Sequence, residues 1–301
     1  MSVEFSLNSS GWLAVFQMGV VKLLQDTVDL SDARVVGTSA GAAAGAVLCC
    51  NVPAQIAAEA MCRREIHSRA DVTKMIPLMK EGLESLSPQT AAESCNGRLG
   101  IMCTEWTQVF PPKIAAVEFK TFSSRQDLVD LLKATSHIPL LGGLFPHIYR
   151  GRWLYDGLFT SPHARMNDKE VFKISKMARC ECGCTDDVSP RLFCPAVQIP
   201  NRWSVLPPDD KVLRLLFYHG YTQARHVLRR SDFPRHLFKF KPEAAQILGE
   251  CACASTDVLP RLSTEPLDHC AEAVLHEDQI KAHLEVSLFC VFCFFVSLTF
   301  R

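Results

Sequence analysis

The sequence predicts an α/β fold that begins as a doubly wound layer of strands and helices. Three observations carry this. Val3 to Leu7 alternates apolar and polar residues, the period of a strand. Leu13, Phe16, Val20 and Leu24, with Val21 and Leu23 beside them, recur at helical spacing up to about Gln25. A second apolar stretch, Ala33-Arg34-Val35-Val36, then runs into Gly37-Thr38-Ser39-Ala40-Gly41, and small residues continue from Ala42 to Leu48. Strand, helix, strand, tight turn and helix alternate as a layered α/β domain requires.

The pentad from Gly37 to Gly41 is the G-x-S-x-G of a nucleophile elbow, in its proper strand–turn–helix setting. The motif glycines Gly37 and Gly41 let strand and helix approach closely. The serine is thereby forced into a strained conformation, its hydroxyl exposed at a helix N-terminus. Serine at that place is also a common helix cap, so the pentad alone leaves the two roles evenly matched.

Position in the chain narrows the choice. In an α/β-hydrolase several strands precede the elbow, and an acid and a histidine follow. Here one strand and one helix precede Ser39, so its base lies elsewhere. Trp153-Leu154-Tyr155-Asp156-Gly157 reads as an aromatic strand ending in a carboxylate, where open α/β sheets place their sites. A carboxylate in hydrogen-bond reach of a serine hydroxyl can take its proton without a histidine. A simple turn is the commoner meaning of Asp-Gly. Its pairing with the elbow favours the catalytic reading of Ser39 and Asp156.

From about Val3 to Ala164 the chain resembles the patatin-like phospholipase family. Phe5 to Gly19 corresponds to that family's first loop and helix, and Gly37 to Gly41 to its G-x-S-x-G. Asn96-Gly97-Arg98-Leu99-Gly100-Ile101 is similar to its strand after the elbow helix. Phe122 to Pro139, with Asp127-Leu128-Val129 and Ala134-Thr135-Ser136-His137-Ile138-Pro139, is similar to the segment before the second catalytic strand. Asp156-Gly157 matches the D-G of its dyad. Within the family the chain most resembles the adiponutrin and triglyceride-lipase branch.

The resemblance implies a three-layer α/β/α domain with a mostly parallel central sheet over residues 3–175. A loop-rich and helical C-terminal extension over 176–285 and an apolar segment at 286–300 would follow. It implies a lipid acyl hydrolase with a Ser39–Asp156 dyad, Gly157 beside the acid, and oxyanion or substrate contacts from Ser9, Ser10, Gly11 and Ala40. No cofactor or metal is expected. The implied partners are a glycerolipid substrate, a membrane or lipid-droplet surface and a protein regulator. A lipid-binding pseudoenzyme and an acylglycerol transacylase are the alternatives.

Two departures stand out. The family's first loop is a run of glycines whose amides face the oxyanion, whereas this chain has Ser9-Ser10-Gly11 and then Trp12-Leu13-Ala14. Serine resists the positive φ that such a turn uses. Loss of one oxyanion donor costs about 10²–10³ in turnover. Leu158 stands where many members carry a small residue.

Composition sets the compartment. Lys+Arg at 32 balance Asp+Glu at 32, so no net field draws the chain to nucleic acid. The 48% apolar content is that of a globular chain, and its 301 residues suffice for a full core. No signal peptide is expected before Val3, and several of the 14 cysteines fall in apolar stretches, such as Cys49, Cys50 and Cys103. A reducing, cytoplasmic setting peripheral to lipid is therefore expected, with cysteine used as a small hydrophobe. Cys180, Cys182, Cys184 and Cys194 invite a zinc reading but lack the paired spacing more usual in zinc sites, so a reduced, cysteine-rich loop is favoured over a metal site.

Beyond Ala164, Val171 to Ile174 reads as another strand, and Pro195 to Asp210 as an extended connector. Lys211 to Arg230 reads as an amphipathic helix containing Gly220-Tyr221-Thr222-Gln223-Ala224. Basic residues from Arg225 to Lys241 interleave with Phe233, Leu237, Phe238 and Phe240. Such a segment suits a membrane surface or a helix end with its rings in the core. Val286 to Phe300 is apolar over 15 residues, short of the roughly 17–25 that cross a bilayer. It suits a lipid anchor or core packing.

Overall fold

The computed structural model describes residues 3–62, 75–108, 112–139, 141–143, 145–165, 168–176 and 189–249. The Cys180–Cys184 loop and the apolar 286–300 segment lie outside them. The strands are β1 (Glu4–Leu7), β2 (Arg34–Thr38), β3 (Leu99–Gln108), β4 (Lys113–Phe119), β5 (His147–Tyr149), β6 (Arg152–Asp156), β7 (Phe172–Ile174) and β8 (Leu192–Phe193). The helices are α1 (Ala14–Thr27), α2 (Ala40–Cys49), α3 (Ala54–Cys62), α4 (Met75–Leu86), α5 (Ala91–Cys95), α6 (Arg125–Thr135), α7 (Asp210–Arg229) and α8 (Ala244–Gly249).

All eight strands join one mixed, mostly parallel sheet, as the sequence leads one to expect. The run β8-β7-β1-β2-β3 is parallel throughout, and β3 then pairs antiparallel with β4 and β6. The parallel strands are short and covered. Phe5, Leu7, Val36, Leu99, Ile101, Phe172 and Ile174 are each buried to within 2%, as a sheet with helices packed against it demands.

One detail of register positions the site. β2 pairs with the first half of β3, Thr38 opposite Met102, while β6 pairs with the next residues, Asp156 opposite Cys103. β4 pairs with both halves, so it occupies the other edge of β3. β2 and β6 therefore abut end to end along one edge, their carboxyl ends pointing at each other. β6 is aligned by a hairpin whose two turn residues, Arg150 and Gly151, have φ of 49° and 74°. That is the type I′ pattern that matches strand twist.

The helices follow their local signals. Ser124 caps α6 by accepting from the Asp127 amide at 3.1 Å. Asp209 caps α7 by accepting from Val212 at 2.8 Å, with His226 and Arg229 in its last turn. Both arrangements satisfy first-turn amides, and the second also complements the helix dipole. α7 packs along α1 at a crossing made by two glycines. A Cβ on Gly19 would stand 2.0 Å from the Phe217 carbonyl oxygen, and one on Gly220 2.1 Å from that of Phe16.

The region after residue 176 departs from expectation in two respects. The connector is not wholly extended: Asn201–Ser204 forms a 3-10 turn that packs on another at Gly11–Leu13. The basic, aromatic segment places its rings inside. Phe233 and Phe238 are buried and join Phe5, Phe172 and Phe240 in one aromatic cluster. Arg235 lies over the Phe240 ring at 4.7 Å. Phe233 and Phe238 belong to the core, with Phe240 half-buried against them. Among the described residues, no helix is long and apolar enough to cross a membrane.

Candidate active site

Ser39 sits between the end of β2 and the start of α2 with φ of 55° and ψ of −129°. Positive φ in a residue with a side chain costs about 1–3 kcal/mol and persists where the surroundings impose it. Here the flanking glycines impose it. A Cβ on Gly37 would stand 2.6 Å from the Ala42 Cα, and one on Gly41 2.4 Å from the Asn8 carbonyl oxygen. Only glycine lets α2 leave the strand so tightly while passing against the first loop.

The Ser39 hydroxyl donates to Asp156 Oδ2 at 2.7 Å. Asp156 Oδ1 accepts from the Leu158 amide at 2.8 Å, and the Asp156 amide donates to the His137 carbonyl at 2.9 Å. The carboxylate is thus fixed at both oxygens and through its backbone. Gly157 follows it because a Cβ there would stand 2.4 Å from the Met102 carbonyl oxygen and 2.8 Å from Thr38 Cγ2. Asp156 is fully buried and Ser39 is 6% exposed. Burial pushes the Asp156 carboxyl up to about 7, against the Leu158 and Ser39 hydrogen bonds and the Lys176 charge, which pull it down. A carboxyl raised in this way is matched to proton transfer near neutrality.

The first loop explains its own serines. Ser10 has φ of −140°, and Gly11 has φ of +52°. Ser9 is absent from the positive-φ positions. The one position that uses left-handed backbone is the one that keeps glycine, so Ser9 and Ser10 are not forced into a glycine conformation. A Cβ on Gly11 would also stand 2.1 Å from the Ser204 carbonyl oxygen, in the connector turn above it. The Ser10 hydroxyl donates to Gln17 Oε1 at 3.0 Å, and Gln17 Nε2 lies 2.8 Å from Asn8 Oδ1. The Ser9 amide donates to the Pro162 carbonyl at 2.9 Å. Ser9 therefore leaves the expected set of oxyanion donors. Ala40, in the first turn of α2, has an amide with no acceptor within its helix.

Several neighbours escaped sequence reasoning. Thr135 Oγ1 accepts from the Ser39 amide at 3.0 Å and donates to the Met102 carbonyl, joining the elbow to β3. Its signal was present in the Ala-Thr-Ser stretch, but not its role. Lys176 reaches Ser204 Oγ at 2.8 Å and its charge acts on Asp156. Nothing in the local sequence marks it. The His137 ring, near the site in the chain, meets the Phe145 carbonyl oxygen at 2.8 Å through Nε2, and His163 Nδ1 lies 3.5 Å from Asn8 Nδ2.

The site is thus a strained serine donating to a buried carboxylate across two abutting strands of an α/β sheet. No protein-family model matches the chain. Curated relatives do. The chain is 26% identical to human omega-hydroxyceramide transacylase, over 75% of this chain and 46% of that protein. It is 24% identical to mouse 1-acylglycerol-3-phosphate O-acyltransferase Pnpla3, over 76% of this chain and 59% of that protein. It is 25% identical to mouse patatin-like phospholipase domain-containing protein 2, over 94% and 63% respectively. The chain spans a little under half the length of the transacylases it matches. These relatives bear out the resemblance to the patatin-like phospholipase family.

Proposed function

We propose that the protein is a lipid acyl hydrolase that cleaves fatty-acyl esters of glycerolipids through Ser39 and Asp156. The observation that carries this reading is the 2.7 Å hydrogen bond from a positive-φ serine to a fully buried carboxylate. Asp156 accepts the Ser39 proton as the serine oxygen attacks the ester carbonyl. The amides of Ser10, Gly11 and Ala40 hold the developing oxyanion, and the proton returns to the leaving alcohol. Water, deprotonated by Asp156, then releases the fatty acid from Ser39. The substrate resides in a bilayer or droplet, so the protein works peripherally at that surface.

A second reading is transacylation, in which an alcohol replaces water in the last step. Two relatives, a transacylase and an acyltransferase, favour it, as does the small exposure of Ser39.

The test uses purified protein with mixed phosphatidylcholine and triacylglycerol, with and without added diacylglycerol. Fatty-acid release, together with labelling by a fluorophosphonate probe that Ser39→Ala abolishes, supports hydrolysis. Acyl transfer to diacylglycerol without release supports the second reading. Equal labelling of wild type and Ser39→Ala overturns both.

A further inference from the structure

At the far end of the elbow helix from Ser39, three thiols gather. Cys49 closes α2, Cys50 follows it as the capping residue, and Cys95 closes α5. The Cys50 and Cys95 sulfurs lie 3.5 Å apart, and both cysteines are free. Cys49 also stands within hydrogen-bond reach of Cys95. Access separates them. Cys49 and Cys95 are buried, at 3% and 0% exposure, while Cys50 is partly open.

Arg98 organises the cluster. Its guanidinium donates to the carbonyls of Leu30 at 2.7 Å, Cys49 at 3.0 Å, Ala33 at 3.1 Å and Ser94 at 3.2 Å. The ends of α2 and α5 are thereby held together with a fixed positive charge close by. The hydrogen bond from Cys95, and then the Arg98 charge, hold the Cys50 thiol below its usual range despite burial. Cys95, hydrogen-bonded to Cys49 and Cys50 and buried, is pushed far up. A partly exposed thiol with its pKa lowered, 3.5 Å from a second thiol, is the arrangement of a peroxide-reactive cysteine with its resolving partner.

We propose that Cys50 and Cys95 form a peroxide-responsive thiol pair, a reversible modification site that ties the C-terminal end of the elbow helix to α5. The Cys50 thiolate attacks one oxygen of hydrogen peroxide. An S–O bond forms, the O–O bond breaks, and hydroxide leaves as water after taking up a proton. The Cys95 thiol then loses its proton and attacks the Cys50 sulfur. The S–S bond forms, the S–O bond breaks, and a second water leaves. Two thiols are oxidised and one peroxide is reduced. Bridging closes the gap from 3.5 Å to a disulfide length of about 2.05 Å. The reaction is independent of the Ser39–Asp156 chemistry.

Peptide mapping of the full-length native protein tests this. The protein is treated with near-stoichiometric hydrogen peroxide, free thiols are blocked with iodoacetamide, and trypsin digestion follows without reductant. The expected product is peptide 35–63 joined to peptide 81–98 through Cys50 and Cys95, and dithiothreitol returns both thiols. Cys50→Ser abolishes the link, and Cys95→Ser leaves a Cys50 sulfenic acid that dimedone traps. The wild-type map does not depend on either variant folding. Recovery of both cysteines as free thiols after peroxide overturns the proposal. So does a bridge that maps to Cys49 instead, or one equally abundant in protein oxidised after unfolding in guanidinium.

Discussion

Asp156 is the residue on which pH acts. Its carboxyl rests at about 7 rather than 3.8 because it is fully buried, and the proposed mechanism requires it ionised to accept the Ser39 proton. Turnover should therefore rise as pH climbs through about 7 and level off above it, as measured by kcat/KM on a soluble ester. Stability runs the other way. The folded protein keeps a proton that the unfolded chain releases above pH 3.8, so this group's contribution is greatest at low pH and is lost as pH rises to about 7. The Tm of Asp156→Asn, less that of wild type, should widen between those values and stay constant above them. Thr135 gives a second prediction. Thr135→Val leaves the Ser39 amide without its 3.0 Å acceptor, and an unsatisfied buried donor costs about 1–3 kcal/mol. If that cost falls on the transition state, turnover drops roughly tenfold or more, with fluorophosphonate labelling slowed in proportion. Sequence reasoning reached Ser39 and Asp156 because short motifs mark them. It missed Thr135 and Lys176 because their roles depend on which strand and which turn they face.

At the scale of elements, the first loop and the α1–α7 crossing each need glycine at particular positions and not at their neighbours. Ser10 already has negative φ and a buried hydrogen bond to Gln17, so Ser10→Gly should lower stability slightly and bring no gain in turnover. Gly11→Ala should abolish activity or folding, since its Cβ would strike the Ser204 carbonyl from a left-handed backbone. At the crossing, Gly220→Ala gains helix propensity of about 1 kcal/mol, yet its Cβ would lie 2.1 Å from the Phe16 carbonyl oxygen. Overpacking of this kind typically costs about 1–3 kcal/mol. The variant should unfold at lower urea than wild type, read by tryptophan fluorescence. The helix over 211–230 was legible from its amphipathic pattern. Its partner was not, because periodicity shows that a face is apolar but not what covers it. The same limit explains Phe233 and Phe238, whose basic surroundings suit a lipid surface although they fill the core.

For the whole molecule, the parallel sheet and the α7 packing decide where the fold can be cut. A boundary at 175 follows the family resemblance, but β8 (Leu192–Phe193) extends the sheet beyond it, and α7 covers α1. Phe233 and Phe238 also pack on Phe5 and Phe172. A chain ending at residue 175 should be insoluble or molten, whereas one ending at 249 should keep a cooperative unfolding transition, measured by circular dichroism during heating. The α/β class and strand order near Ser39 could be read from alternation and glycine placement. The wrap of residues 189–249 around the first helix could not, since contacts across some two hundred positions leave no local trace.

The meeting of β2 and β6 along a single edge has a further consequence. Ser39 and Asp156 come from segments more than a hundred residues apart, yet their spacing is governed by ladder alignment rather than by any loop that touches them. One extra amino acid inserted between Arg150 and Gly151 would press β6 to slide against its neighbour. Because side chains alternate from face to face along a strand, a slip of one position would turn the Asp156 carboxylate to the reverse side of the sheet. Such an insertion would silence Ser39 from a surface bend, with every residue of the pocket unaltered.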